Sequence, residues 1–158
     1  MITYTLLFIA GTVSGILVTA LLVYLLMPGM MIVTQSSRLG FDDTISSLEA
    51  AATNAGWSIA GKKNMNASIA KHGVEFGPRV EMLEICQPNY AKEVLTDARH
   101  VACLMPCSIA VYEDDAGRVM LSKMNTGLMG KLFGGTVARV MGGAVAHDEH
   151  TILDGIVQ

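Results

Sequence analysis

The sequence predicts an α+β fold, a mixed sheet with helices packed on it, preceded by one N-terminal transmembrane helix. Three observations carry this. Residues 1–37 contain no charged side chain. From about Met30 onward, short apolar runs with strand character alternate with amphipathic stretches that carry helix-start and helix-stop residues. Asp114-Asp115-Ala116-Gly117 then joins two alternating runs as a hairpin turn. A chain of 158 residues holds one domain with a sizeable core plus an appendage. The mean hydropathy of +0.44 is high for a soluble surface, and the excess sits at the N-terminus. The expected division is an anchor over 1–29, an α+β domain over 30–126, and a glycine-rich helix and tail over 127–158.

Tyr4 to Met27 runs without Asp, Glu, Lys, Arg, His, Asn or Gln, and a membrane span needs about 20 such residues. Tyr4 and Tyr24 fall near its ends, where amphipathic rings prefer the headgroup level. Pro28-Gly29 predicts the stop. A cleaved signal peptide would carry a basic start and an apolar stretch of about 7 to 15 residues; this stretch is longer and has no Lys or Arg before it. The expectation is a retained single-pass anchor in the cell membrane. Only Arg38 follows closely, so the orientation signal is slight, with a lean to the extracytoplasmic side. Gly11 and Gly15 form G-x-x-x-G, which reads either as a homodimer contact or as the ordinary glycine content of membrane helices.

The remaining elements follow in order. "MMIVTQSS" suits a first strand. Phe41 and Asp42-Asp43-Thr44 supply a staple residue and N-cap candidates, Ile45, Leu48, Ala52 and Ala55 recur at helical spacing, and Gly56 ends that helix. Trp57–Gly61 reads as a second strand, 66–73 as one or two helical turns closed by Gly73, and 79–86 as a third strand. Pro88 opens a helix over 88–95 at the turn where its missing N–H costs nothing. Residues 107–113 and 118–124 form the hairpin. In "GLMGKLFGGTVARVMGGAVA" (127–146), Met129, Leu132, Phe133, Val137, Val140, Met141 and Ala144 trace one helical stripe. Its glycines each cost roughly 1 kcal/mol relative to Ala in a helix, so the segment needs a partner surface; its own sheet, another subunit and the bilayer all qualify.

The stretch "EICQPNYAKEVLTDARHVACLMPCSIAVYED" resembles the family named domain of unknown function 302. The matching positions are Cys86, Pro88, Ala91, Leu95, Asp97, Pro106, Cys107, Val111, Tyr112 and Glu113. Asp97-Ala98 departs from the family's Asp-Pro. The resemblance implies a compact α+β domain without an established activity, and it gives weight to Cys86 and Cys107 over Cys103.

Strand alternation places Cys107 with Ile109 and Val111 on an apolar face, and Cys86 with Val80, Met82 and Glu84; neighbouring strands would bring Cys86 to the same layer. Three readings of the pair stay open. The cysteines fill a core. They are reactive thiols, with Cys86 activated by the N-terminus of the helix begun at Pro88. Or they bind a soft metal or haem, since Met82, Met105 and Met124 would complete a set suited to Cu(I). No C-x-x-C exists, which argues against structural zinc. Asn89, Tyr90 and Pro106 are further ligand-site candidates. His147 and His150 form H-x-x-H, a metal clasp if helical and otherwise a solvated tail. A net charge of -3 and the lack of a phosphate-binding glycine loop exclude nucleic-acid and nucleotide roles. Two functions result: a membrane-anchored module that senses or binds a small ligand or partner, and a thiol-dependent redox, sulfur-transfer or soft-metal protein using Cys86 and Cys107. The sequence names no cofactor.

Overall fold

A computed structural model describes residues 2–158. It divides into two compact units, the first helix and residues 32–158.

Helix α1 runs from Ile2 to Met31, 30 residues, or roughly 45 Å at 1.5 Å per residue. Its apolar side chains, among them Leu7, Phe8, Leu17 and Leu25, are exposed. Such a helix is compatible with a single membrane span or a signal sequence. The expected stop at Pro28-Gly29 does not occur: the helix continues through Pro28 to Met31. Proline removes one donor and crowds the carbonyl four residues back, so near the end of a helix it disturbs only the last turn.

In the second unit, five strands form one sheet in the order β1-β5-β4-β3-β2: β1 Ile32–Ser36, β2 Ser58–Asn64, β3 Val80–Cys86, β4 Cys107–Glu113 and β5 Val119–Met124. Every pairing is antiparallel, which corrects the expected mixed sheet. A helix between two strands is long enough to carry the chain across to a parallel neighbour, but it does not require that. Instead β2 to β5 form a meander carrying α3 (Met65–Ala70) and α4 (Pro88–Asp97) as excursions, and β1 closes on the far side of β5. Trp57, expected to begin the second strand, precedes it and is buried in the core.

Helix α2 (Phe41–Asn54) buries Phe41, Ile45, Leu48 and Ala52, the stripe expected from spacing. Its N-cap is Gly40 rather than Asp42, Asp43 or Thr44. Phe41 must already be helical to reach the core, where the Arg79 guanidinium lies 4.1 Å from its ring centre. Thr44 Oγ1 turns back to the Gly40 carbonyl at 2.7 Å and meets Ser37 Oγ at 2.7 Å.

The glycine-rich segment is not one helix. It divides into α5 (Thr126–Phe133), α6 (Gly135–Arg139), a π-helical stretch (Val140–Val145) and α7 (Ala146–Leu153). The break falls at Gly134 and Gly135, both at positive φ (69° and 53°), a conformation other residues enter only at a cost. Leu132 and Phe133 are consequently exposed, whereas Val137, Val140, Met141 and Val145 join Leu83, Ile85, Ile109 and Val111 in the core. The segment therefore docks on its own sheet. Beyond α7, the Gln158 amide donates to the Ser36 carbonyl at 2.9 Å and the Arg38 amide to that of Ile156 at 2.9 Å, tying the end of β1 to residues 156–158.

Candidate functional site

Cys86 ends β3, Cys107 begins β4, Met124 ends β5 and Ile32 begins β1. The register Ile85↔Cys107 and Ile32↔Met124 places all four at one end of the sheet. A cavity of about 450 Å³ opens there. Met82, Glu84, Ser108, Ala110, Ser122 and Met124 line it from one side of the pleat, Lys123, Thr126, Met141 and Glu149 from the helical side, and Cys103, Met105, Pro106 and Cys107 from the segment leading into β4. A second cavity, about 20 Å³, shares the wall formed by Met105, Pro106, Cys107 and Met141 and adds Trp57, Ile85, Cys86 and Tyr90.

The strongest polar feature of this end was not legible as a site. Glu149, 2% exposed, takes bonds from Lys123 Nζ and from Thr126 Oγ1, both at 2.7 Å and both on Oε2. Lys123 is itself 14% exposed at its side chain. Its neighbour Asp148 accepts from Trp57 Nε1 at 3.1 Å. The acidic pair inside "HDEH" thus points inward. His147 and His150 face solvent on α7, so the run is helical and only its histidines are solvated. Among the described residues no three of His, Cys, Asp and Glu stand close enough to share a metal ion.

Cys107 is half-buried, and its ionisation is pushed up to about 12, by burial first and then by the Glu149 carboxylate and Cys86. At neutral pH it is a neutral thiol. Cys86 lies on the opposite side of the pleat from Cys107, because its neighbour Ile85 is the residue paired with Cys107 and shares its face. The expected common layer is therefore corrected; the two cysteines meet only at the strand end, where both line the small cavity. The helix terminus imagined as activating Cys86 is already occupied, since Gln87 Oε1 accepts from the Asn89 and Tyr90 amides at 2.7 and 3.0 Å. Cys103, set aside on sequence grounds, lies exposed on a 3-10 turn (Arg99–Leu104) at the wall of the larger cavity.

Tyr90 lines the small cavity and meets Trp57 edge to face, ring centres 6.1 Å apart. Its phenol is raised above its ordinary value by desolvation and then by the Asp148 charge. Asn89 is exposed and lines neither cavity. Met105 and Pro106, joined by a cis peptide bond, line both.

A family profile described as "Domain of unknown function DUF302" matches residues 32–153. No curated protein matches the chain. Among solved structures the chain is similar to an uncharacterized conserved protein DUF302 from Bacillus stearothermophilus, with a TM-score of 0.70 and 20% sequence identity, over 79% of this chain and 97% of that one. At that identity the likeness is one of fold.

Proposed function

The chain belongs to the DUF302 family of domains of unknown function, and from its strand-end cavity we propose that it is a membrane-anchored, non-enzymatic sensing module that binds a small ligand there. One observation carries the reading: a buried carboxylate, Glu149, stands at the wall of a 450 Å³ cavity, where Lys123 Nζ and Thr126 Oγ1 both hold its Oε2. Apart from Lys123 and Thr126, the rest of the lining is largely methionine and other apolar side chains, with Glu84, Ser108 and Ser122 as polar points. Apolar walls with a few convergent polar groups suit a small amphipathic molecule bearing an amine or hydroxyl.

A thermal-shift screen of short-chain amines and alcohols against the detergent-solubilised chain tests this. Compounds that raise the unfolding midpoint are expected to stop doing so in Ser108→Trp, which fills the cavity from an exposed sheet position. Absence of any hit, or shifts undiminished in Ser108→Trp, defeats the reading. Anchoring rests on the 30-residue charge-free helix, longer than the apolar stretch of a signal peptide. Alkaline carbonate is expected to leave the protein in the membrane pellet, and release would favour a cleaved signal sequence.

The thiol-dependent alternative draws support from Cys86 and Cys107 lining one small cavity, but a thiol ionising near pH 12 is a poor nucleophile. Iodoacetamide at pH 7 is expected to label exposed Cys103 first and Cys107 last, with Cys107 remaining slow through pH 9 because its ionisation lies far higher. Rapid labelling of Cys107 in the folded protein would restore the alternative.

A further inference from the structure

The small cavity beside the ligand site has an unusual lining. Four of its side chains are sulfur-bearing: Cys86, Met105, Cys107 and Met141. They come from three places in the fold: the end of β3, the Met105-Pro106-Cys107 segment that enters β4, and the π-helical stretch. Among the described residues, no carboxylate or imidazole lines the space. At about 20 Å³ it has room for one small occupant, near the lower limit for a single water. Water would find few hydrogen-bond partners among thiols, thioethers and apolar walls. A soft monovalent cation would find the ligands it prefers. The π-helical stretch adds to this, because such insertions re-aim a side chain and cluster at functional sites; here it carries Met141, 7% exposed, to the cavity wall.

We propose that this cavity is a Cu(I) site, with Cys86 and Cys107 as thiolate ligands and Met105 and Met141 as thioether ligands. The ion enters as Cu(I) and leaves as Cu(I), so no electron is transferred. Each coordinating thiol releases its proton to solvent as its Cu–S bond forms. Oxygen-preferring ions such as Mg²⁺ and Ca²⁺ are disfavoured, because no described carboxylate lines the space and the Gln87 side-chain carbonyl there already accepts from the Asn89 and Tyr90 amides. This site goes beyond the small-ligand reading and shares only a wall with that cavity.

Titration of the full chain in detergent, reduced and anaerobic, with Cu(I) buffered by bicinchoninate tests it. The reporter is built in: Trp57, the sole tryptophan of the chain, lines the cavity. One equivalent of Cu(I) is expected to be captured with a matching change in Trp57 emission, and X-ray absorption is expected to show a sulfur-only first shell. Cys86→Ser and Cys107→Ser should each weaken capture by about 100-fold or more, at least the effect that removing outer partners of a metal already has. Cys103→Ser should leave it unchanged, and so should Ser108→Trp, which separates this proposal from the ligand reading. No capture, capture that survives both Cys86→Ser and Cys107→Ser, or capture lost in Cys103→Ser overturns it. If either serine variant loses its near-UV circular dichroism, Met105→Leu and Met141→Leu carry the test, because they nearly conserve volume. Undiminished binding in both removes the site as drawn.

Discussion

Glu149→Ala is expected to lower the unfolding free energy by about 3–5 kcal/mol, the cost of leaving one member of a buried ion pair without its partner. The stranded group is Lys123, whose side chain is only 14% exposed and whose Nζ reaches Glu149 Oε2 at 2.7 Å. Thr126 Oγ1, also buried, loses its acceptor at the same time. The pair itself need not be a net source of stability, since desolvating two charges offsets much of their attraction. Lys123→Met combined with Glu149→Leu is therefore expected to recover most of what the single change loses. Urea unfolding of the solubilised chain, followed by Trp57 fluorescence, measures both. A loss below about 1 kcal/mol in Glu149→Ala would mean that water screens the pair as it does at a surface.

Gly130→Ala is expected to destabilise by about 1–3 kcal/mol, although alanine is the better helix former by about 1 kcal/mol. The added Cβ would stand 2.4 Å from the Gly142 nitrogen and 2.7 Å from its Cα. Both atoms are backbone, so no side chain can swing aside, and α5 would have to separate from the π-helical stretch. Gly143 is the control. It is exposed, and a Cβ there meets nothing within 4 Å, so Gly143→Ala is expected to stabilise by roughly 0.5–1 kcal/mol. Opposite signs in thermal melts of the two variants would show that the segment is held by close backbone approach; equal signs would count against it.

The local elements were legible where a residue type dictates backbone geometry. Pro88 marked the first turn of α4, the Asp114–Gly117 turn marked the β4–β5 hairpin, and Ile45, Leu48 and Ala52 marked the buried side of α2. Strand direction was not legible, because whether β1 lies beside β2 or on the far edge beside β5 depends on partners distant in the chain. The stripe from Met129 to Ala144 concealed a break that the Gly134-Gly135 pair did signal. Of the candidates, Cys86, Cys107 and Pro106 stand at family positions and Met105 was a soft-ligand candidate, and all four line the small cavity. Glu149 was missed because "AHDEH" reads as a solvated polar run, and only its position opposite Lys123 reveals the inward turn.

The tie between β1 and residues 156–158 bears on how the chain folds as it is made. Ser37 and Ile156, joined by a hydrogen bond, are 119 positions apart, and β1 finds its sheet partner only in β5. Loop closure over such a span is entropically slow. The first strand to leave the ribosome is thus the last to be paired on either side, and Ile32 to Ser36 remain an open edge through most of synthesis. An unpaired edge of that kind invites pairing with other chains. For this protein the hazard of aggregation is concentrated before folding is complete, and a circular permutant that supplied β1 after β5 would shorten it.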